Sequence, residues 1–141
     1  MPFPLSPQST DAIADIISGG GGHDTTPPIG IYRSGPKIEK FMRACNVAFT
    51  VNGSRVPSLV QCLINLNNGF EADQALPRII EAAADPRDFI HEPERHIAVL
   101  DHLNRALRFD GFEVQQQGGR MRLVEAGKNV PSWRSWPGCP R

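Results

Sequence analysis

The sequence predicts an α+β fold: a mostly helical single domain of four to five helices that ends in a two-stranded β-hairpin, in the manner of a winged helix. Three observations carry this expectation. The segment PERHIAVLDHLNRALRFDG puts Val99, Leu100, Leu103, Ala106 and Leu107 on one helical arc, and Gly111 supplies the left-handed residue that ends helices. FEVQQ-QGG-RMRLVEA follows, with Phe112, Val114, Met121 and Leu123 alternating on one side and Gly118-Gly119 at the turn. Upstream, helical apolar periodicity recurs between Gly- and Pro-containing breaks.

The elements follow in order. A first helix is expected from Ser9 to Ser18, capped by Ser9 or Thr10, with Ile13, Ile16 and Ile17 inward and GGGG at 19–22 as its stop. GGGGHDTTPP then reads as a linker, which sets residues 1–28 apart from a helical domain with its hairpin at 29–126. Ser34-Gly35-Pro36 opens a second helix with Pro36 at its first position. Its apolar stripe is Ile38, Phe41, Met42 and Cys45, with Lys37, Lys40 and Arg43 turned to water. Val47–Val51 is a short extended piece before the Asn52-Gly53 turn, and Ser54 starts a third helix carrying Val56, Leu59, Val60, Leu63 and Ile64. A fourth, Asp73 to Ala84, uses Leu76, Ile79, Ile80 and Ala83, and DPRDFIHEP turns the chain into the last helix. Residues 127–141 show no periodicity and three prolines, and are expected to be a disordered tail.

Composition narrows the class. At 141 residues the chain suits one domain able to bury a core without staples. No apolar run approaches the ~20 residues of a membrane span, and MPFPLSPQSTD lacks the basic start and apolar core of a secretory signal. Cys45 and Cys62 fall within predicted helices, where free thiols act as small hydrophobes, so a reducing, cytoplasmic setting is expected. Net charge is zero, yet the charges are sorted along the chain. Residues 30–55 carry Arg33, Lys37, Lys40, Arg43 and Arg55 against Glu39, whereas 71–101 carry eight acids, and 105–141 return to seven basic against three acidic residues. Such sorting can set a basic face, made by a helix and the wing, against an acidic one. That face would hold phosphates through Arg33, Lys37, Lys40, Arg43, Arg120 and Arg122.

Chemistry-bearing patterns are few. GIYRSGPK resembles a phosphate loop only in outline, since Pro36 removes an N–H and no Ser or Thr follows Lys37. His23, His91, His96 and His102 show no zinc-type spacing with the cysteines, so neither a metal nor a cofactor is expected. His96 lies on the apolar arc and is read as a core histidine bonded to backbone, and Asn104 as an amide tie to an adjacent loop. Arg95 and His102, seven apart on one helix face, resemble the R-x(4–6)-H signature of HEPN-type ribonucleases. The resemblance implies proton shuttling by His102 and charge stabilisation by Arg95. HEPN folds are all-helical, whereas this helix runs straight into a hairpin.

A more extended resemblance covers residues 29–126. IGIYRSGPKIEKFMRACN, GSRVPSLV, PRIIEAAADPRDF and HLNRALRFDGFEV are similar to blocks of the N-terminal region of bacterial abortive-infection proteins, which carry an abortive-infection C-terminal domain downstream. The resemblance implies a role in phage defence, as a non-enzymatic sensor or adaptor that binds nucleic acid or a protein partner, a homodimer included. The effector half of that family would follow the hairpin, so none of its activity maps onto a residue of this chain, which would be either a fragment or a short product without it. The alternatives are a HEPN-like ribonuclease using Arg95 and His102, and a plain protein-interaction or dimerisation module.

Overall fold

The computed structural model describes residues 5–19 and 29–126. The expected linker and the expected tail at 127–141 lie outside the described residues, apart from Gly19 of the linker. Five α-helices precede a two-stranded antiparallel hairpin: α1 (Pro7–Ser18), α2 (Gly35–Ala44), α3 (Arg55–Asn67), α4 (Ala72–Ala83), α5 (Pro93–Leu107), β1 (Phe112–Gln117) and β2 (Arg120–Glu125). The α+β order is the one the sequence predicts. Among the described residues, no helix is long and apolar enough to cross a membrane.

The first helix starts two residues earlier than the expected Ser9, at Pro7. Ser6, not Ser9 or Thr10, is the cap: its Oγ accepts from the Ser9 N–H at 3.3 Å, and Pro7 takes the first helical position, where no N–H is needed. Asp110 then sets its carboxylate against this N-terminus, accepting from Ser6 N at 2.9 Å, from Ser6 Oγ at 3.0 Å and from the Ser9 hydroxyl. The opposite end closes on Gly19, whose φ of 81° lets its N–H return to Asp15 O at 2.9 Å.

Far from forming a separate N-terminal piece, α1 is a central pillar of the core. Ile13, Ile16 and Ile17 are buried within the same cluster as Ile38, Met42, Leu59, Leu63, Leu76, Ile79, Ile80, Leu103 and Leu107. It packs on α3, α5 and α4. The segment entering α2 runs back along it, with Ile31 N–H bonded to Ile16 O at 3.4 Å and Arg33 N–H to Ser18 O at 3.3 Å.

The hairpin has the predicted face and turn. Gln117 pairs with Arg120 across Gly118-Gly119, and Val114 sits opposite Leu123. Val114 and Met121 are the buried pair, while Phe112 and Leu123 are only partly covered. Two side chains fasten the ribbon to the helices from either edge. Asn104 of α5 accepts from Val114 N at 2.7 Å and donates to Val114 O at 3.2 Å, while Glu81 of α4 accepts from Leu123 N at 2.9 Å. The amide of Asn104 thus ties its helix to a strand rather than to a loop. His96 holds the carbonyl of Ala84 at 2.8 Å through Nε2, the backbone bond its place on the apolar arc implies.

Candidate functional site

The basic residues singled out by charge divide into three groups. Lys37, Lys40 and Arg43 are exposed along α2, and among the described residues none has a carboxylate within ion-pair distance. Arg33 is different. Its side chain is 14% exposed, donates from Nη1 to Ile17 O at 3.0 Å, stands 3.8 Å from Asp88 and lies over the Phe41 ring at 4.6 Å. Burial lowers its pKa, with Asp88 opposing, so this arginine ties the α2 approach to the end of α1. Arg120 and Arg122 form the third group, on β2.

What joins the second helix to the hairpin is α4. Arg78 Nε reaches Cys45 O at 3.1 Å at one end, and three residues on, Glu81 takes the hairpin's Leu123 N–H and stands 3.9 Å from Arg122. A hollow beside the turn is lined by Glu81, Asp85, Arg87, Gly119, Arg120 and Met121. Carboxylates therefore stand beside the wing's arginines, and Arg33 of the six candidates is turned inward. Of the glutamines beside the turn, Gln115 is half-buried on the Glu113 carboxylate and Gln116 and Gln117 are exposed.

The hollow also carries a pH signature. Hydrogen bonds from Arg87 hold the Asp85 carboxyl below the ordinary carboxylate range, against the opposing effect of burial. A depressed folded pKa contributes stability that is present above the unfolded value of about 3.9 and is lost as pH falls through the folded one. Asp88 has the opposite sign, because burial raises its pKa, so its contribution is lost as pH rises. In urea titrations stepped down from neutral pH, Asp85→Asn should fall off less steeply below pH ~4 than the parent chain. Identical acid limbs would mean that the pair is fully screened by water.

Arg95 and His102 serve different neighbours. Arg95 donates from Nη1 to Gly30 O at 2.8 Å and from Nε to Glu92 at 3.2 Å. His102 Nε2 lies 3.5 Å from Asp15 Oδ2, enclosed and without a well-aligned hydrogen bond. Seven residues of helix separate them by about 10 Å along the axis, and each side chain is engaged by a different neighbour. Among the described residues no three of His, Cys, Asp or Glu converge as metal ligands.

A second concave feature, larger than the hollow by the hairpin turn, lies along α3. An open groove of about 760 Å³ runs between residues 47–52 and the outer face of that helix, reaching Gly69, Phe70 and Glu71. Its construction starts at Asn46, whose φ of 66° reverses the chain after α2, so that Val47 N–H bonds Met42 O at 2.9 Å and the Val47 side chain is buried. Farther on, Glu39 accepts from Val51 N at 2.8 Å, and Ser58 Oγ accepts from Asn52 N at 3.1 Å while donating to Asn52 O at 2.7 Å. The segment is pinned at both ends. Between the pins, Ala48, Phe49 and Thr50 have no hydrogen-bond partner among the described residues, for backbone or side chain.

The opposite wall is built by helical spacing: Pro57 and Ser58, Gln61 and Cys62, then Asn65 and Leu66 succeed each other every four residues. Gln61 Nε2 bonds Asn65 Oδ1 at 3.0 Å, which presents the Asn65 amide N–H₂ outward. Burial pushes the Cys62 thiol up, keeping it protonated and apolar. At the far end Phe70 is 91% exposed, an aromatic ring standing in water beside an apolar trough. The sequence carries one sign of this groove: VAFTV at 47–51 has strand-type alternation of Val47, Phe49 and Val51 with no second strand in reach to pair it.

The chain matches no protein-family model, and neither a curated protein nor a solved structure is significantly similar to it. Fold and site together define a small α+β helical domain with a closing hairpin and one open, largely apolar groove.

Proposed function

We propose that this chain is a non-enzymatic adaptor of bacterial phage defence that binds a protein partner through the α3 groove, taking up an extended segment of it. The observation that carries this reading is the unpaired backbone of residues 48–50 at the rim of the apolar trough. An extended edge with free N–H and C=O groups beside pockets for side chains is the arrangement that recognises extended peptides. Backbone bonds supply affinity there and the trough supplies selectivity. The assignment to defence rests on the resemblance of the blocks within residues 29–126 to abortive-infection proteins. Nucleic acid is the second reading, favoured by the unpaired Lys37, Lys40 and Arg43 on α2. Against it stand Arg33, turned inward, and Glu81 and Asp85, which line one hollow with Arg120. A HEPN-like ribonuclease would require Arg95 and His102 to leave Gly30 and Asp15 and to meet across two chains.

Phage plating on bacteria that express the chain separates the readings. The groove variant Leu66→Gln/Phe70→Ser should lose protection, whereas the triple variant Lys37→Ala/Lys40→Ala/Arg43→Ala should keep it, both at unchanged protein level. The reverse pattern, with a salt-dependent gel shift lost in the triple variant, would move the assignment to nucleic acid. RNA cleavage abolished by His102→Ala with the fold intact would make the chain a ribonuclease. Absence of protection by the parent chain would remove the defence role.

A further inference from the structure

Two Asn-Gly pairs fall within the described residues, Asn52-Gly53 and Asn68-Gly69, and the fold holds them differently. An asparagine side chain is open to attack by the amide nitrogen of the residue that follows, most readily where that residue is glycine and brings no Cβ to the closing ring. We infer that the Asn52–Gly53 peptide, on the wall of the α3 groove, modifies itself with the help of Ser58: Gly53 N closes on Asn52 Cγ, and a carboxylate replaces the amide. This chemistry is independent of what the groove binds.

In the first step the Gly53 N–H loses its proton to solvent base. The nitrogen then bonds to Asn52 Cγ, the Cγ–Nδ2 bond breaks, and ammonia leaves with a proton drawn from water. Water adds to either carbonyl carbon of the resulting cyclic imide, which opens to aspartate or to isoaspartate, the latter with an extra carbon in the main chain. Net, a water is consumed and an ammonia released. The groove, whose lining holds Glu71 as its charged residue, then carries a further negative charge next to the unpaired backbone of residues 48–50.

That first step makes the selection, because a nitrogen whose N–H is already bonded must give up the bond before it can attack. Among the described residues Asn46, Asn65, Asn67, Asn68 and Asn104 all precede such an N–H. Val47 N bonds Met42 O at 2.9 Å, Asn68 N bonds Ile64 O at 3.1 Å and Gly69 N bonds Leu66 O at 3.0 Å. Leu66 and Arg105 lie inside α3 and α5, where the helix takes the N–H. The Gly53 N–H has no hydrogen-bond partner among the described residues, and open space surrounds this exposed glycine, with nothing within 4 Å of where a Cβ would stand. Ser58 adds to the selection. Its hydroxyl donates at 2.7 Å to Asn52 O, the carbonyl of the same peptide whose nitrogen must ionise, while its Oγ accepts from Asn52 N at 3.1 Å. The charge of a deprotonated peptide resides largely on its oxygen, so this donor favours the ionised form and makes the Gly53 N–H more acidic. Accepting from Asn52 N polarises the hydroxyl and strengthens it as a donor.

Incubation of the purified chain at neutral and at mildly alkaline pH, followed by trypsin digestion and mass spectrometry, separates the two pairs, since residues 44–55 carry Asn52-Gly53 and residues 56–78 carry Asn68-Gly69. In the folded chain, peptide 44–55 should gain the mass difference between a carboxyl and an amide several-fold faster than peptide 56–78. It should also split on chromatography into aspartate and isoaspartate forms. In urea the two peptides should convert at similar rates. Ser58→Ala should slow conversion of 44–55 several-fold and move its pH profile to higher pH while the helical circular dichroism is kept, and Ser58→Thr should restore the parent rate. Asn52→Gln, which would have to close a larger ring, should leave peptide 44–55 at its starting mass. Equal conversion of the two peptides in the folded chain would overturn the inference, as would a 44–55 mass that never changes. Conversion in Ser58→Ala as fast as in the parent, or faster, would overturn it as well, because the hydroxyl would then have no part in the step.

Discussion

Leu103→Ala should lower the free energy of unfolding by about 2–5 kcal/mol, the cost of the lost apolar transfer together with the cavity left behind. Leu103 is fully buried on α5, which packs on α1 and β1, and the neighbouring Asn104 side chain holds both backbone groups of Val114, which resists collapse into the void. For a small domain whose whole stability is about 5–15 kcal/mol, this removes a large share. Urea unfolding followed by circular dichroism should show an earlier midpoint with an unchanged slope. A coincident transition would mean that this helix face is not part of the core.

Asn104→Leu should cost a comparable amount for a different reason. The substitution conserves volume, yet it strips the N–H and the C=O of Val114 of their partner, and each buried orphan costs about 1–3 kcal/mol. Asn104 is 7% exposed and Val114 4%, so water cannot take over without opening the joint. The signature to measure is local. Amide exchange should accelerate across β1 and β2 more than in α1 or α3, whereas Leu103→Ala raises exchange everywhere the core is shared. Uniform acceleration in both variants would show that the hairpin has no separate hold on α5.

The helices and the hairpin were legible because their signals are local. The arc of Val99, Leu103 and Leu107, the Gly111 stop and the Gly118-Gly119 turn each operate within a few residues of themselves. The start of α1 was misplaced at Ser9, because Ser9 and Thr10 compete as caps with Ser6-Pro7, and only the packing of Asp110 on Ser6 decides between them. What local patterns do not reveal is tertiary return. A Gly- and Pro-rich break marks where a chain can turn, not where packing stops, and so α1 belongs to the core on the far side of that break. Arg33 reads as one of a basic run, yet residues 29–33 lie back along α1 and carry its guanidinium to Ile17 O. The groove needs α3 and residues 47–52 side by side, a juxtaposition held by Glu39 and Ser58 across the turn of the chain.

The amide of Asn104 and the carboxylate of Glu81 have a consequence for how copies of this chain meet one another. Each occupies an outward-facing backbone position of the ribbon, at Val114 on one side and Leu123 on the other. A strand from another molecule that sought to lengthen the sheet would find those positions taken and would have to break a short bond to a polar side chain at either border. The ribbon is thereby a terminus of β-structure instead of a seed for it, which makes growth into stacked aggregates costly at the element whose alternating apolar pattern would otherwise invite it.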